Sequence, residues 1–245
     1  MLLLPSPLTS TERNLAHVHT AFWDPLHEYV RVGGLVYASL CADAAIPEMA
    51  DLFGASLADH ASVGEVRLTF VAPYGDISAG ATFQYQAEAA NPRHWPATLE
   101  LAGGQVIAID HDGRPALVAH SYGKGKTLLS AYPLETYLAA RPAAFESPEP
   151  THQLYRGLAQ SGGLALAFAT GDPGVEIAGL TAKGRGYAVL ANHRPETRLV
   201  TVASRVPFQA VRQITPAGKQ PMPGRGSQWQ LELPAYGGAV LEYTL

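Results

Sequence analysis

The chain has 245 residues, 47% apolar and 16% charged, enough for one large globular domain or two modest ones. Its net charge of −4, with no basic stripe and no aromatics set among Lys and Arg, excludes nucleic acid as a partner. The single Cys41 excludes an intrachain disulfide and a cysteine-rich zinc site; no apolar run spans a membrane, and MLLLPSPLTS lacks the basic start of a secretory signal, so the cytoplasm is the default location.

LLLP predicts a short buried strand ended by Pro5. STERNLAHVHTAF spaces Leu15, Val18 and Phe22 for a helix behind a Ser/Thr start. DPLHEYVRVGG predicts a second helix, with Asp24 as N-cap, Pro25 at the first helical position and Gly33-Gly34 as the stop. LVYASL is an unbroken apolar run, typical of a strand covered on both faces. IPEMADLFG predicts a short helix with Met49, Leu52 and Phe53 inward and Gly54 closing it.

From about residue 64 the apolar period becomes two. EVRLTFV, ATFQYQA, TLELA, QVIAID, PALVAHS and KTLLSAY read as strands separated by PYGD, NPRHWP, GG, DHDG and YGKG. DHDG lacks the calcium-loop pattern and reads as a hairpin turn. HSYGKGKT is one glycine short of a phosphate-binding P-loop, because His120 stands where the first glycine belongs. TLLSAYP is also too short and Pro-limited for the helix a P-loop opens, so a turn between two strands is expected. LETYLAARP and THQLYRGLAQSGG read as helices joined by RPAAFESPEP; after Gly163 every segment reads as a strand of a β-sandwich. The expected boundary lies near 145, giving domains 1–145 and 146–245. The nine histidines show no H-x-x-x-H pair, and neither a metal nor a cofactor is expected.

LHEYVRVGGLVYASL, with Leu26, Tyr29, Val30, Gly33 and Gly34, resembles the L-x-x-Y-V-x-x-G-G helix and following strand of the domain after the catalytic barrel in β-galactosidases with a trimerisation domain. Gly123 and Gly125 match that family's G-x-G turn. YAVLANHRPETRLVTV and WQLELPAYGGAVLEY are similar to its C-terminal β domain. The resemblance implies an α/β fold: a flavodoxin-like, class I glutamine-amidotransferase-like domain, N-terminally incomplete and with antiparallel β additions, followed by a small all-β sandwich. It also implies a non-catalytic assembly portion of a glycoside hydrolase. Its partners would be further copies of itself or an N-terminal glycosidase barrel, with carbohydrate as the ligand.

Amidotransferases use a Cys on a strand-to-helix elbow and a His-x-Glu pair. Here Cys41 lies between Leu40 and Ala42 rather than glycines, and Tyr132 stands in place of the His before Pro133 and Glu135. A phenol is a poor base for a thiol, so no glutaminase activity is expected. The alternative of a small stand-alone glycosidase needs two carboxyls across a cleft. Asp43, Glu48, Asp76 and Glu135 are the candidates nearest strand ends or loops; Asp43 and Glu48 read more simply as a helix cap and a solvated side chain. A third reading, a sugar-binding module, rests on Trp23, Tyr74, His94 and Trp95 as stacking surfaces, with the NPRHWPA loop the first place to look.

Overall fold

A computed structural model describes residues 1–5, 20–41, 49–61, 64–139, 141–142, 149–164, 167–222 and 226–244. The chain divides into two compact units, Met1–Leu164 and Ala165–Leu245. The division follows helix α4 rather than preceding it near 145, because Leu154 and Leu158 of that helix are buried in the core of the first unit. Among the described residues no helix is long and apolar enough to cross a membrane.

In the first unit one seven-stranded sheet has the order β1-β2-β9-β8-β7-β4-β5. It is built from Leu2–Pro5, Leu35–Ser39, Gly125–Ser130, Pro115–Tyr122, Gln105–Ile109, Val66–Phe70 and Thr82–Tyr85. A two-stranded ribbon pairs β3 (Ala55–His60) with β6 (Ala97–Leu101), and the helices are α1 (Thr20–Arg31), α2 (Met49–Phe53), α3 (Leu134–Ala139) and α4 (Thr151–Ser161).

The expected flavodoxin-like α/β domain is not what forms. Seventeen strands and four α-helices make the described chain mostly β, and only β1, β2 and β9 run parallel. The other four strands join by antiparallel pairing. The physical reason lies in residues 64–130: period-two runs joined by tight turns close as hairpins, whereas parallel neighbours need long, usually helical crossovers. The five residues of α2 are too few for one.

α1 also differs from expectation. It runs without a break through Asp24 and encloses Pro25, so Asp24 is not its N-cap; Pro25 brings no amide to the carbonyl of Ala21. The expected upstream helix, with Leu15 and Val18, lies outside the described residues except for its last three, Thr20 to Phe22, which open α1.

The motif residues of α1 and of the β8–β9 turn meet in space. Leu26 and Val30 are buried, and Gly33, at φ 124°, ends the helix. The Lys124 amide donates to the Arg31 carbonyl at 2.9 Å, and the Lys126 amide donates to that of Gly34 at 3.1 Å. The hairpin turn thus satisfies carbonyls that the helix end would leave orphaned. A Cβ at Gly125 would run into the Val30 and Gly34 carbonyl oxygens, so only glycine fits there. HSYGKGKT is accordingly a hairpin, with Tyr122 paired to Gly125.

The second unit places β10 (Phe168–Thr170), β13 (Arg198–Phe208) and β16 (Gly226–Leu233) in one sheet. A second sheet has the order β11-β12-β17-β14-β15, from Val175–Ala182, Arg185–Asn192, Gly238–Thr244, Ala210–Thr215 and Gly218–Pro221. Phe168, Phe208, Trp229 and Tyr243 centre its core, where the Phe168 and Phe208 rings stack with centroids 5.7 Å apart. Strict alternation along β12 and β16 buries every second side chain, as in antiparallel sheets with one face toward solvent.

Candidate functional site

The residues suggested by an amidotransferase triad do not assemble. Cys41 is buried two residues beyond the end of β2. The Tyr132 hydroxyl donates instead to Asp110 Oδ2 at 3.0 Å, and burial, then the Asp110 charge, pushes its pKa well up. Glu135 belongs to a third network. Its Oε2 accepts from Ser39 Oγ and its Oε1 from the Tyr155 hydroxyl, both at 2.6 Å.

This Glu135 network has a local origin. Pro133 opens α3, its carbonyl accepting from the Thr136 and Tyr137 amides, and Glu135 falls in the first turn, where the helix favours a negative charge. Ser39 ends β2 beside it, and α4 brings Tyr155 across the sheet face, its ring edge-on to that of Tyr37 at 6.1 Å. Tyr37 is fully buried, and its hydroxyl has no hydrogen-bond partner among the described residues. Burial first and the Glu135 charge second raise the pKa of both phenols, so both remain neutral. The cluster holds one carboxylate among hydroxyl groups.

The other candidates separate. Asp43 and Glu48 lie outside the described residues. Asp76 is exposed and pairs with Arg156 at 3.4 Å. Trp23 is completely buried, with Phe22 edge-on to it at 5.1 Å, which removes it from sugar stacking. His94 is likewise buried: its Nδ1 accepts from the Glu88 amide at 2.9 Å, and its carbonyl accepts from the Tyr137 hydroxyl at 2.7 Å. Trp95 is half-buried and donates from Nε1 to the Ala89 carbonyl at 2.8 Å, tying the NPRHWPA loop to the segment before it. His94 and Trp95 pack the loop.

Asp110, His111 and Asp112 bring three potential ligand atoms within 4.8 Å of one another. Asp110 Oδ1 already accepts from the Asp112 and Arg114 amides, both at 2.9 Å, and Oδ2 from Tyr132. Arg114 also stands 3.4 Å from Asp112. The group is the hairpin turn read from DHDG, its acidic oxygens spent on holding the chain reversal.

Tyr74, of the stacking candidates, lines a cavity. Its amide and carbonyl pair with Ile77 at 2.9 and 3.0 Å, closing the turn, and its ring lies against Gly157 in the middle of α4. A Cβ on Gly75 would sit 2.6 Å from the Gly157 Cα, so the turn and the helix approach through two glycines. The space left between Tyr74, α4 and the sheet measures about 500 Å³. Lys126, Ser121 and Gln105 also line it, none of them singled out from sequence as ligand-binding; period-two alternation places them on a common face but does not mark that face as a site.

No family model and no curated protein matches the chain. Solved structures do. A β-galactosidase from Bacillus circulans sp. alkalophilus superposes with a TM-score of 0.63 at 19% identity, over 91% of this chain and 31% of that one. A β-galactosidase from Rahnella sp. R3 gives 0.63 at 18% identity, over 91% and 30%. An α-L-fucosidase isoenzyme 2 from Paenibacillus thiaminolyticus gives 0.65 at 12% identity, over 99% and 40%. The fold is glycoside-hydrolase-like. At such identities the likeness is one of fold, and the chain spans about a third of the length of the β-galactosidases it resembles.

Proposed function

We propose that the chain serves as an accessory, assembly-forming portion of a carbohydrate-degrading glycoside hydrolase. The observation that carries this reading is one of proportion: nearly all of this chain superposes on less than half of each enzyme it resembles. Its own chemistry is consistent with a supporting part. Glu135 accepts two short hydrogen bonds from groups that remain neutral, and Asp110 is occupied in a turn. Asp110 does share a cleft with Glu65 and Asp112, but both of its oxygens already accept from the Asp112 and Arg114 amides and the Tyr132 hydroxyl, which leaves none free for the carboxyl pair that glycosidase chemistry requires. The partners this reading names are further copies of the chain or a glycosidase barrel.

The test is turnover of nitrophenyl β-galactoside and α-fucoside by the purified chain. No release above the Glu135→Gln variant is expected. Turnover on the order of 1 s⁻¹ or more, lost in Glu135→Gln, would make the chain a glycosidase in its own right.

A further inference from the structure

The hairpin that removes the nucleotide reading of HSYGKGKT leaves Lys126 without a role. Ser121 and Lys126 are cross-strand partners, Lys126 is also opposite Leu35, and Gln105 is opposite Ala119, two residues before Ser121. Period-two alternation therefore sets Gln105, Ser121, Lys126 and Leu35 on one face of the sheet. Of the intervening residues, Thr127 donates to the Leu52 carbonyl of α2 and the His120 ring lies against Gly54, although both residues also border the cavity. The Lys126 face is covered at one end by α4, where Gly162 contacts Leu35, and is walled by the turn that carries Tyr74.

The lining has a definite chemistry. No hydrogen bond or ion pair among the described residues engages the Gln105 amide, the Ser121 hydroxyl or the Lys126 ammonium, and no carboxylate lines the cavity. The remaining walls combine the apolar Tyr74 ring, Leu35 and Ile107 with His120, Thr127 and Ser161. The volume of about 500 Å³ falls within the roughly 300–1,000 Å³ of small-molecule sites. A bare inorganic anion would leave the apolar walls unused, and an apolar ligand would bury an unpaired ammonium at high cost. A pyranose has both surfaces, a ring of hydroxyl groups and a C–H face.

We propose that this cavity binds an anionic monosaccharide of the uronate class. Lys126 pairs with the carboxylate, Gln105 and Ser121 hydrogen-bond ring hydroxyl groups, and the C–H face lies on Tyr74. This goes beyond the accessory role and is read without any hydrolysis, so the two fail independently.

Isothermal titration of the full chain at low salt, with galacturonate, galactose and acetate as probes, tests it. Galacturonate is expected to bind about tenfold more tightly than galactose, the increment of one charge-assisted hydrogen bond, and more tightly than acetate, which lacks the ring that Gln105, Ser121 and Tyr74 hold. Lys126→Met should erase the preference over galactose while leaving the melting temperature unchanged, since the side chain is exposed. Tyr74→Ala should weaken both sugars; if it fails to fold, Ser121→Ala takes its place. The proposal is overturned by no binding at millimolar galacturonate, by acetate binding as tightly as galacturonate, or by a preference that survives Lys126→Met.

Discussion

Tyr37 and Tyr155 face the same carboxylate with opposite hydrogen-bonding status, which makes them a matched pair of tests. Tyr155 donates to Glu135 at 2.6 Å, and Tyr155→Phe is expected to destabilise the chain by about 1.5–3 kcal/mol, the range for a hydrogen bond to a charged group. The Tyr37 hydroxyl is buried near Glu135 and Ser39 but makes no well-formed hydrogen bond among the described residues, so Tyr37→Phe should leave stability unchanged or raise it by about 1 kcal/mol. Denaturant unfolding of both variants measures the contrast, and equal losses would show that Tyr37 also bonds Glu135. Burial is the first cause of the raised pKa at Tyr37, Tyr85, Tyr132 and Tyr137. Each such phenol contributes stability that is intact below its unfolded pKa of about 10 and is lost as the pH climbs toward the higher folded value. Stability should therefore fall above about pH 10, by up to roughly 1.4 kcal/mol per pH unit for each of these tyrosines. Tyrosinate absorbance should rise together with unfolding rather than before it.

Two motifs distant in sequence become one joint between elements, the end of α1 on the β8–β9 turn. At Gly125 any side chain meets backbone oxygens rather than flexible atoms. Gly125→Ala is expected to cost about 3 kcal/mol, lowering the melting temperature by roughly 6–12 °C. Gly64, which has open space around its Cβ direction and no positive φ, is the control: Gly64→Ala should stay within about 0.5 kcal/mol. The sequence showed both glycine motifs and the strands on either side, yet it could not show that they touch. It also missed β3 and β15. ASLADH has no β-branched residue and GKQP ends in proline, so neither carries a local strand signal; each is a strand because a neighbour offers a free edge.

Apolar side chains are left exposed in both units. β1 has β2 as its only strand partner among the described residues, with Leu2 and Leu3 39% and 42% exposed. In the second unit the register aligns Ala178, Val189, Val240 and Ile214 in one row across four strands, with Leu180 and Tyr187 in the next. Leu180 is 76% exposed. Contiguous apolar surface of this kind usually marks an interface, and unpaired strand edges attract further strands. Light scattering on the purified chain should give a multiple of 26.0 kDa at tens of micromolar. Leu180→Lys with Val189→Lys should return it to one chain if the sheet face associates, and Leu3→Lys should do so if the edge does. A mass of 26.0 kDa for the unaltered chain would remove self-association from the proposed role.

Local features that act within a few residues were determined by the sequence alone. They include the buried β2, the inward face of α2 with its Gly54 stop, the DHDG and YGKG hairpin turns, and the alternating strands of the second unit. Each follows from side-chain period or from the backbone freedom of a turn residue, and neither depends on what lies across the fold. Tertiary structure alone decided the direction of the strands and the company of the site residues. Whether β9 lies parallel to β2 or β8 antiparallel to β7 is a matter of which edges are free once hairpins have closed, so motif likeness led toward an α/β sheet that did not form. Burial likewise took Trp23 and His94 out of the candidate list. Pairing sent Tyr132 to Asp110 and Glu135 to Ser39 and Tyr155, and strand register brought Gln105, Ser121 and Lys126 to one cavity. Those are long-range contacts, and no local pattern encodes them.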